Sequence, residues 1–372
     1  MVPNRTSAQV MLLILFAVFA LGVSTAAVGL CDFRAPTTDL TQLFLAMNYT
    51  YLDTPDTPQV DVSSGRFSFT FARVHDEPDR ALSVGSTSEF TLHHLSLDRA
   101  LGDAYFTTRF YLPQEDPLYV FAEVKADYTA TSGQSGLELR AGAGYGRLTD
   151  VTPLAKALRI QETLTEDLVL ETPLPDEAIQ EIAKLIAQET QFSGIGELVS
   201  RIESVIEAAS GADLNTRALL IIAEQIRSTD AAQQCGWALQ AGIGYELVRR
   251  FGGSRLLLFT LSTDIARPLS LASRVEAHAD FSRPLFVSGA NALSVSLHYN
   301  RRLSNTTRLV AEYALQRVQQ ATEALNVGET IELQWVFDLG RMDLTVSGSL
   351  TRGSGMSGWV EALVVSARVD LL

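Results

Sequence analysis

Two histidines in this chain lie beside carboxylates at a spacing that could do chemistry. His278 stands in "EAHAD" between Glu276 and Asp280, and His298 stands in "LSVSLHYN" twenty residues on. In an extended segment, residues two apart point the same way. Glu276, His278 and Asp280 therefore share a face, as do Ser294, Ser296, His298 and Asn300. If the two segments form a hairpin with Ser282 opposite Ala292, His298 stands opposite Glu276. Such a pair could ligate a metal or pass a proton. It also suits an ordinary cross-strand ion pair on a hydrated wall, and that is the reading we favour, with no metal, no cofactor and no catalytic residue. His93 and His94 are adjacent, so they point to opposite faces and cannot serve one site.

The same polar face continues through many segments. It carries Arg109, Lys125, Arg140, Arg274, Arg308 and Arg368, together with Glu123, Glu138, Glu276, Asp280, Glu312, Glu332 and Asp343. Mixed charges of this kind line a water-filled pore or knit a closed barrel with ion pairs. Gly142 and Gly144, echoed by Gly242 and Gly244 in the repeat "AGxGY", fall on this face too. Glycine within a strand removes bulk and permits close approach. The expectation is that helices or the N-terminal segment rest on the strip, a plain sheet bend being the alternative. Cys31 and Cys235 are the two cysteines, a candidate disulfide in an exported chain.

The elements that must position these residues follow from period. "IELQWVFDL" sets Ile331, Leu333, Trp335 and Phe337 against Glu332, Gln334 and Asp338, and "MDLTVSGSL" sets Leu344, Val346 and Leu350 against Asp343, Thr345 and Ser347. Alternation of this sort predicts strands with one apolar and one polar face. We place six at 42–52, 66–75, 82–97, 103–113, 117–130 and 135–147. Eight more fall at 235–248, 254–266, 270–282, 292–302, 306–317, 329–339, 341–351 and 358–371. Aromatics cluster near the ends of apolar faces, among them Tyr49, Tyr51, Tyr145, Trp237, Tyr245, Tyr299, Trp335 and Trp359. Tight connections ("LPQEDP", "IARP", "RRLSN", "DLGR") alternate with longer ones. Strands of this length, girdled by aromatics, fit a membrane barrel better than a soluble sandwich.

Between the two sets of strands the period changes. Thr152 and Pro153 open a helix, with Thr as the cap. Asp176 and Glu177 open a second helix. Ile195, Leu198, Ile202 and Ile206 stripe a third that ends at Gly211, and Leu219, Ile222 and Ile226 stripe a fourth. From Asp150 to Asp230 there are fifteen acidic and six basic residues, so the helices suit water and not lipid. At the N-terminus, Arg5, the apolar run "VMLLILFAVFALGV" and "STAAVG" form a secretory signal. An uncleaved anchor or a lipoprotein signal ahead of Cys31 are the alternatives.

The chain has 372 residues and a formal charge of -14, which excludes a nucleic-acid surface built on clustered Lys and Arg. The organisation is a signal peptide (1–27), an N-terminal periplasmic segment (28–41), barrel strands 1–6 (42–148), an acidic α-helical insertion (149–231) and barrel strands 7–14 (232–372). The whole pattern resembles bacterial outer-membrane β-barrel proteins of the porin-like class, over residues 40–372 apart from the helices. It departs from them in ending on Leu372, where such chains carry a terminal aromatic residue. The resemblance implies a mainly β, transmembrane antiparallel barrel of about fourteen strands, twelve being the alternative. It implies outer-membrane lipid as surroundings and a passive transport function. A non-conducting scaffold that binds a periplasmic protein through 149–231, and a barrel enzyme using lumenal His and carboxylates, are the rival readings.

Overall fold

The computed structural model describes residues 29–34, 37–52, 62–94, 96–112, 117–129, 134–227, 233–248, 256–287, 290–304, 306–319, 325–339, 342–354 and 358–370. The expected signal peptide at 1–27, Leu372, and the side chains of Tyr49, Tyr51 and Arg368 lie outside the described residues. By its contacts the chain divides into two compact units.

The larger unit is a closed antiparallel barrel of fourteen strands in sequence order, with β1 pairing β14. The strands are β1 (Thr38–Leu52), β2 (Val62–Asp76), β3 (Arg80–His93), β4 (Ser96–Tyr111), β5 (Leu118–Thr129), β6 (Gln134–Asp150), β7 (Gln234–Val248), β8 (Leu257–Ser270), β9 (Ser273–Pro284), β10 (Asn291–Ser304), β11 (Thr307–Gln319), β12 (Asn326–Asp338), β13 (Met342–Gly353) and β14 (Val360–Asp370). Register follows the sequence alternation. Leu309 faces Trp335, Ala311 faces Leu333 and Tyr313 faces Ile331 on one side of β11–β12, while Arg308 meets Val336 and Glu312 meets Glu332 on the other. A slip of one residue would exchange the two faces, so the pattern pins the register. Leu118, Val120, Leu139, Trp237, Ile243, Leu333 and Trp335 all stand exposed on the outward face.

Two boundaries differ from the sequence reading. The tight connection after β8 is Leu271–Ala272, and Arg267 and Pro268 lie within the strand, because Pro needs no donor at a strand's last residues. The break between β3 and β4 falls at His94, whose φ of 47° turns the chain, and not near Gly102, which sits within β4.

The smaller unit gathers the N-terminal segment, the insertion and the residues around the β8–β9 turn. Its helices are α1 (Thr152–Glu166), α2 (Asp176–Ala187), α3 (Ile195–Ser210) and α4 (Thr216–Arg227). Each buries residues three or four apart: Leu154, Ala157, Ile160 and Leu164; Ile179, Ile182 and Ile186; Leu198, Ile202 and Ile206; Ala218, Ile222 and Ile226. Phe33 from the N-terminal segment joins this core, and Leu219 is only partly buried at its edge. Gln161, which breaks the apolar stripe of α1, accepts a hydrogen bond from the Leu174 N–H and so fastens the connection to α2.

The cap of α1 differs from the expectation. Thr152 is the first helical residue and Val151 the N-cap, and the Asp150 carboxylate accepts from the Thr152 N–H at 2.9 Å. The Thr152 hydroxyl instead accepts from the Gln233 N–H at 2.8 Å, while the Val151 N–H donates to the Gln233 carbonyl at 2.8 Å. Both ends of the insertion are thereby joined. Cys31 and Cys235 form a disulfide, with Cα atoms 5.4 Å apart and 204 residues between them in sequence. No helix among the described residues is long and apolar enough to cross a membrane, which says nothing of the strands.

Candidate functional site

The lumen wall is built from the polar face of the strands. Its inward direction is fixed by contacts that skip strands. Arg140 on β6 meets Asp280 on β9 at 2.9 Å although β7 and β8 lie between them. Side chains converge on the concave face of a closed sheet and splay apart on the convex one, so such a contact belongs inside. Lys125 on β5 stands 3.9 Å from Asp280, and Arg109 on β4 stands 3.7 Å from Asp264 on β8. Arg308 on β11 bonds Asp343 on β13 across β12.

Arg140 is the centre of this wall. It lies 2.7 Å from Glu138 and 3.7 Å from Glu123, and both Arg140 and Glu123 are only 8% exposed. The Thr107 hydroxyl donates to Glu123 as well. One guanidinium thus holds carboxylates from three strands. Arg holds this position well, since its planar fork presents several donors at fixed angles. Lys125, at 37% exposure, adds a second and wetter cation to Glu123 at 3.6 Å.

The glycine strip explains how the network fits. A Cβ on Gly144 would overlap the Tyr119 ring, one on Gly242 would meet Phe121 and the Ala141 carbonyl, and one on Gly244 would meet the Glu138 carboxylate. The strip is thus occupied by the barrel's own atoms: side chains at Gly144 and Gly244, and neighbouring-strand backbone at Gly142 and Gly242, where β6 and β7 approach closely. Tyr119 is fully buried there, edge-on to Tyr111 at 5.4 Å, with its hydroxyl donating to Gln240 at 3.4 Å. Gly146, with φ of 99°, changes the strand's phase after this point. Arg147 can then reach inward to Asp76 at 2.7 Å and to the carbonyls of Glu77 and Pro78 in the β2–β3 turn.

The histidines take other partners than the sequence suggested. His298 bonds Glu312 at 3.1 Å, its direct neighbour on β11, on the opposite side of β10 from Glu276. His278 bonds Asp264 on β8 at 2.6 Å. Both are side-to-side ion-pair geometries on the wall. Among the described residues, no group of three or more His, Cys, Asp or Glu side chains is placed to hold a metal. Arg274 falls in the smaller unit with the β8–β9 turn. Asp264, Tyr119, Gln240 and Arg147 were not singled out from sequence. Asp264 was findable, because Thr260, Ser262 and Asp264 alternate in step with the other polar faces.

Water reaches this wall. The Glu312 side chain is 43% exposed and lumen-facing Tyr105 is 38% exposed. On the outward face the Tyr145 and Trp237 rings lie tilted against each other, 5.7 Å apart, beside the turn end. That suits the amphipathic ring of an interfacial girdle.

No family model matches the chain, and no curated protein matches it. In backbone course it is similar to solved outer-membrane structures. The outer membrane channel DcaP of Acinetobacter baumannii aligns at 8% identity over 91% of this chain and 99% of that one, with a TM-score of 0.39. The outer membrane protein Omp33 of the same organism aligns at 9% identity over 89% and 98%, with a TM-score of 0.34. A BenF-like porin from Pseudomonas fluorescens Pf-5 aligns at 8% identity over 91% and 100%, with a TM-score of 0.33.

Proposed function

We propose that the protein is an outer-membrane β-barrel that acts as a passive pore, with the acidic helical unit on the periplasmic side. One observation carries the reading: a closed sheet whose outward face is apolar and whose inward face is charged and hydrated. In lipid every backbone polar group must be paired within the protein, and a closed barrel meets that demand without an edge. A barrel of eight strands is already filled by side chains, whereas fourteen leave room for water. The side of the helices follows from parity. The chain leaves β6 and enters β7 at the end that also carries the tight turns β2–β3, β8–β9 and β10–β11, whereas the other end has the short β3–β4 turn beside the longer β7–β8, β9–β10, β11–β12 and β13–β14 connections; tight turns mark the periplasmic end of such barrels. Lipid surrounds the barrel, and the helical unit gates the pore, plugs it or docks a periplasmic protein.

Planar-bilayer conductance of the purified chain tests this, with and without residues 151–229. Discrete channel events are expected from the full chain. An altered open probability in the deleted form assigns gating or plugging to the helices. A folded barrel that stays silent in both forms would leave the scaffold reading in place of the pore.

A further inference from the structure

We infer that the lumen prefers cations over anions, and that the carboxylates Glu312 and Glu332 help set that preference; this rests on the pore reading above. Four cations of the wall are locally matched, and Arg302, opposite Arg308 in register, is a fifth on that face. Arg109, Lys125, Arg140 and Arg308 each stand within ion-pair distance of at least one carboxylate. A cation so matched contributes little field to a passing ion.

Two pairs of carboxylates face each other in register. Read across the barrel in register, one row runs His298, Glu312, Glu332, Ser349 over β10 to β13. A second row runs Thr87, Asp103, Asp127, Gly136 over β3 to β6. Each row sets two carboxylates directly opposite one another and contains no Lys or Arg, with the His298 ring 3.1 Å from Glu312. Like charges in direct cross-strand register weaken a sheet, so pairing stability does not account for either row. The rows also lie on opposite sides of the ring of strands. β4 and β11 are seven strands apart in a ring of fourteen, as are β5 and β12. Asp103 and Asp127 thus lie half-way round the ring of strands from Glu312 and Glu332, so carboxylate pairs stand on both sides of the wall. Glu312 is open to water, so the field acts where solutes travel.

The magnitude can be set from Coulomb's law. A carboxylate ~8 Å from the ion path, in water and screened at ~0.1 M salt, separates a monovalent cation from an anion by roughly twofold. Glu312 and Glu332 together give about fourfold.

The test is the reversal potential of the refolded full chain in a planar bilayer under a KCl gradient. Wild type is expected to pass potassium several-fold better than chloride. The double variant Glu312→Gln, Glu332→Gln should lower the ratio about fourfold, and the preference should weaken at high salt. Channels that prefer chloride, or a ratio unmoved in a double variant with wild-type heat-modifiable gel mobility, would overturn the inference and leave the pore standing. Complete silence removes the pore reading and this inference with it. The wild-type measurement needs no variant, so a misfolded mutant does not shelter the claim.

Discussion

Replacing Arg140 by Met keeps the length of the side chain and removes its charge. Three carboxylates then lose their shared partner: Glu138 at 2.7 Å, Asp280 at 2.9 Å and Glu123 at 3.7 Å. Two limits bracket the cost. Exposed ion pairs contribute about 0.2–1 kcal/mol, because water screens them and their side chains must be ordered. Breaking a buried pair costs about 3–5 kcal/mol, because the remaining charge stays desolvated and unmatched. Burial decides between the limits. Arg140 and Glu123 are 8% exposed, and Glu138 and Asp280 are 18% and 17% exposed. The expected loss for Arg140→Met is therefore about 3–5 kcal/mol. Lys125 reaches two of the same carboxylates but is 37% exposed, so Lys125→Met should cost less than about 1 kcal/mol. Urea titration of the refolded barrel in detergent, followed by fluorescence of its three tryptophans, measures both. Adding Asp280→Asn to each completes a double-mutant cycle, with a coupling of about 1–3 kcal/mol expected for Arg140. Equal, small losses in the two single variants would show that the wall is fully screened, and the argument from burial would be wrong.

Further expectations follow from the same geometry. Gly144→Val should displace the Tyr119 ring at a cost of about 1–3 kcal/mol, and Tyr119→Ala should restore heat-modifiable mobility; no rescue would mean that the glycine serves the backbone instead. With 204 residues between Cys31 and Cys235, the chain-entropy model assigns the disulfide about 5 kcal/mol. Its reduction should lower the urea midpoint of the helical unit, and ready alkylation of both thiols in the unreduced protein would refute the bond. On α3, the Ser193 N–H and hydroxyl both donate to Glu197 and hold its carboxyl below the usual glutamate range. The stabilisation is present above the ordinary carboxylate pKa and fades as pH falls through the lowered one. Helix content measured from neutral to acidic pH should therefore fall further in wild type than in Glu197→Gln, and parallel curves would discount the Ser193–Glu197 contact.

The number of strands was legible because period 2 is written into every segment, as in Ile331, Leu333, Trp335 and Phe337 against Glu332, Gln334 and Asp338. The four helices were legible from spacings of three and four, as in Leu198, Ile202 and Ile206. What escaped depends on distances that local sequence does not encode. Arg140 meets Asp280 only because the closed sheet curves β6 toward β9. His298 had a carboxylate on either side, and alternation alone does not say which neighbouring strand supplies the partner. The glycine strip suits either a seat for another element or a plain sheet bend, and only the fold shows that its neighbours are Tyr119, Glu138 and the Ala141 and Ala241 carbonyls of the barrel's own strands. The β3–β4 break was missed because His94 adopts a left-handed backbone without the Gly or Asn that usually announces one.

The disulfide also bears on the order in which this chain is made. Its covalent ring encloses β1 to β6 and the four helices, while β8 to β14 emerge later and lie outside it. Once it closes, the free chain that separates β1 from its partner β14 is shortened by more than half. Loop-closure cost rises only with the logarithm of length, so the saving in that final search is less than about 1 kcal/mol. An oxidant that acts before the last strands arrive therefore does little to seal the barrel. It commits the first half of the protein and its helices to a single hoop, and a chain that stalls in assembly would carry that hoop already formed.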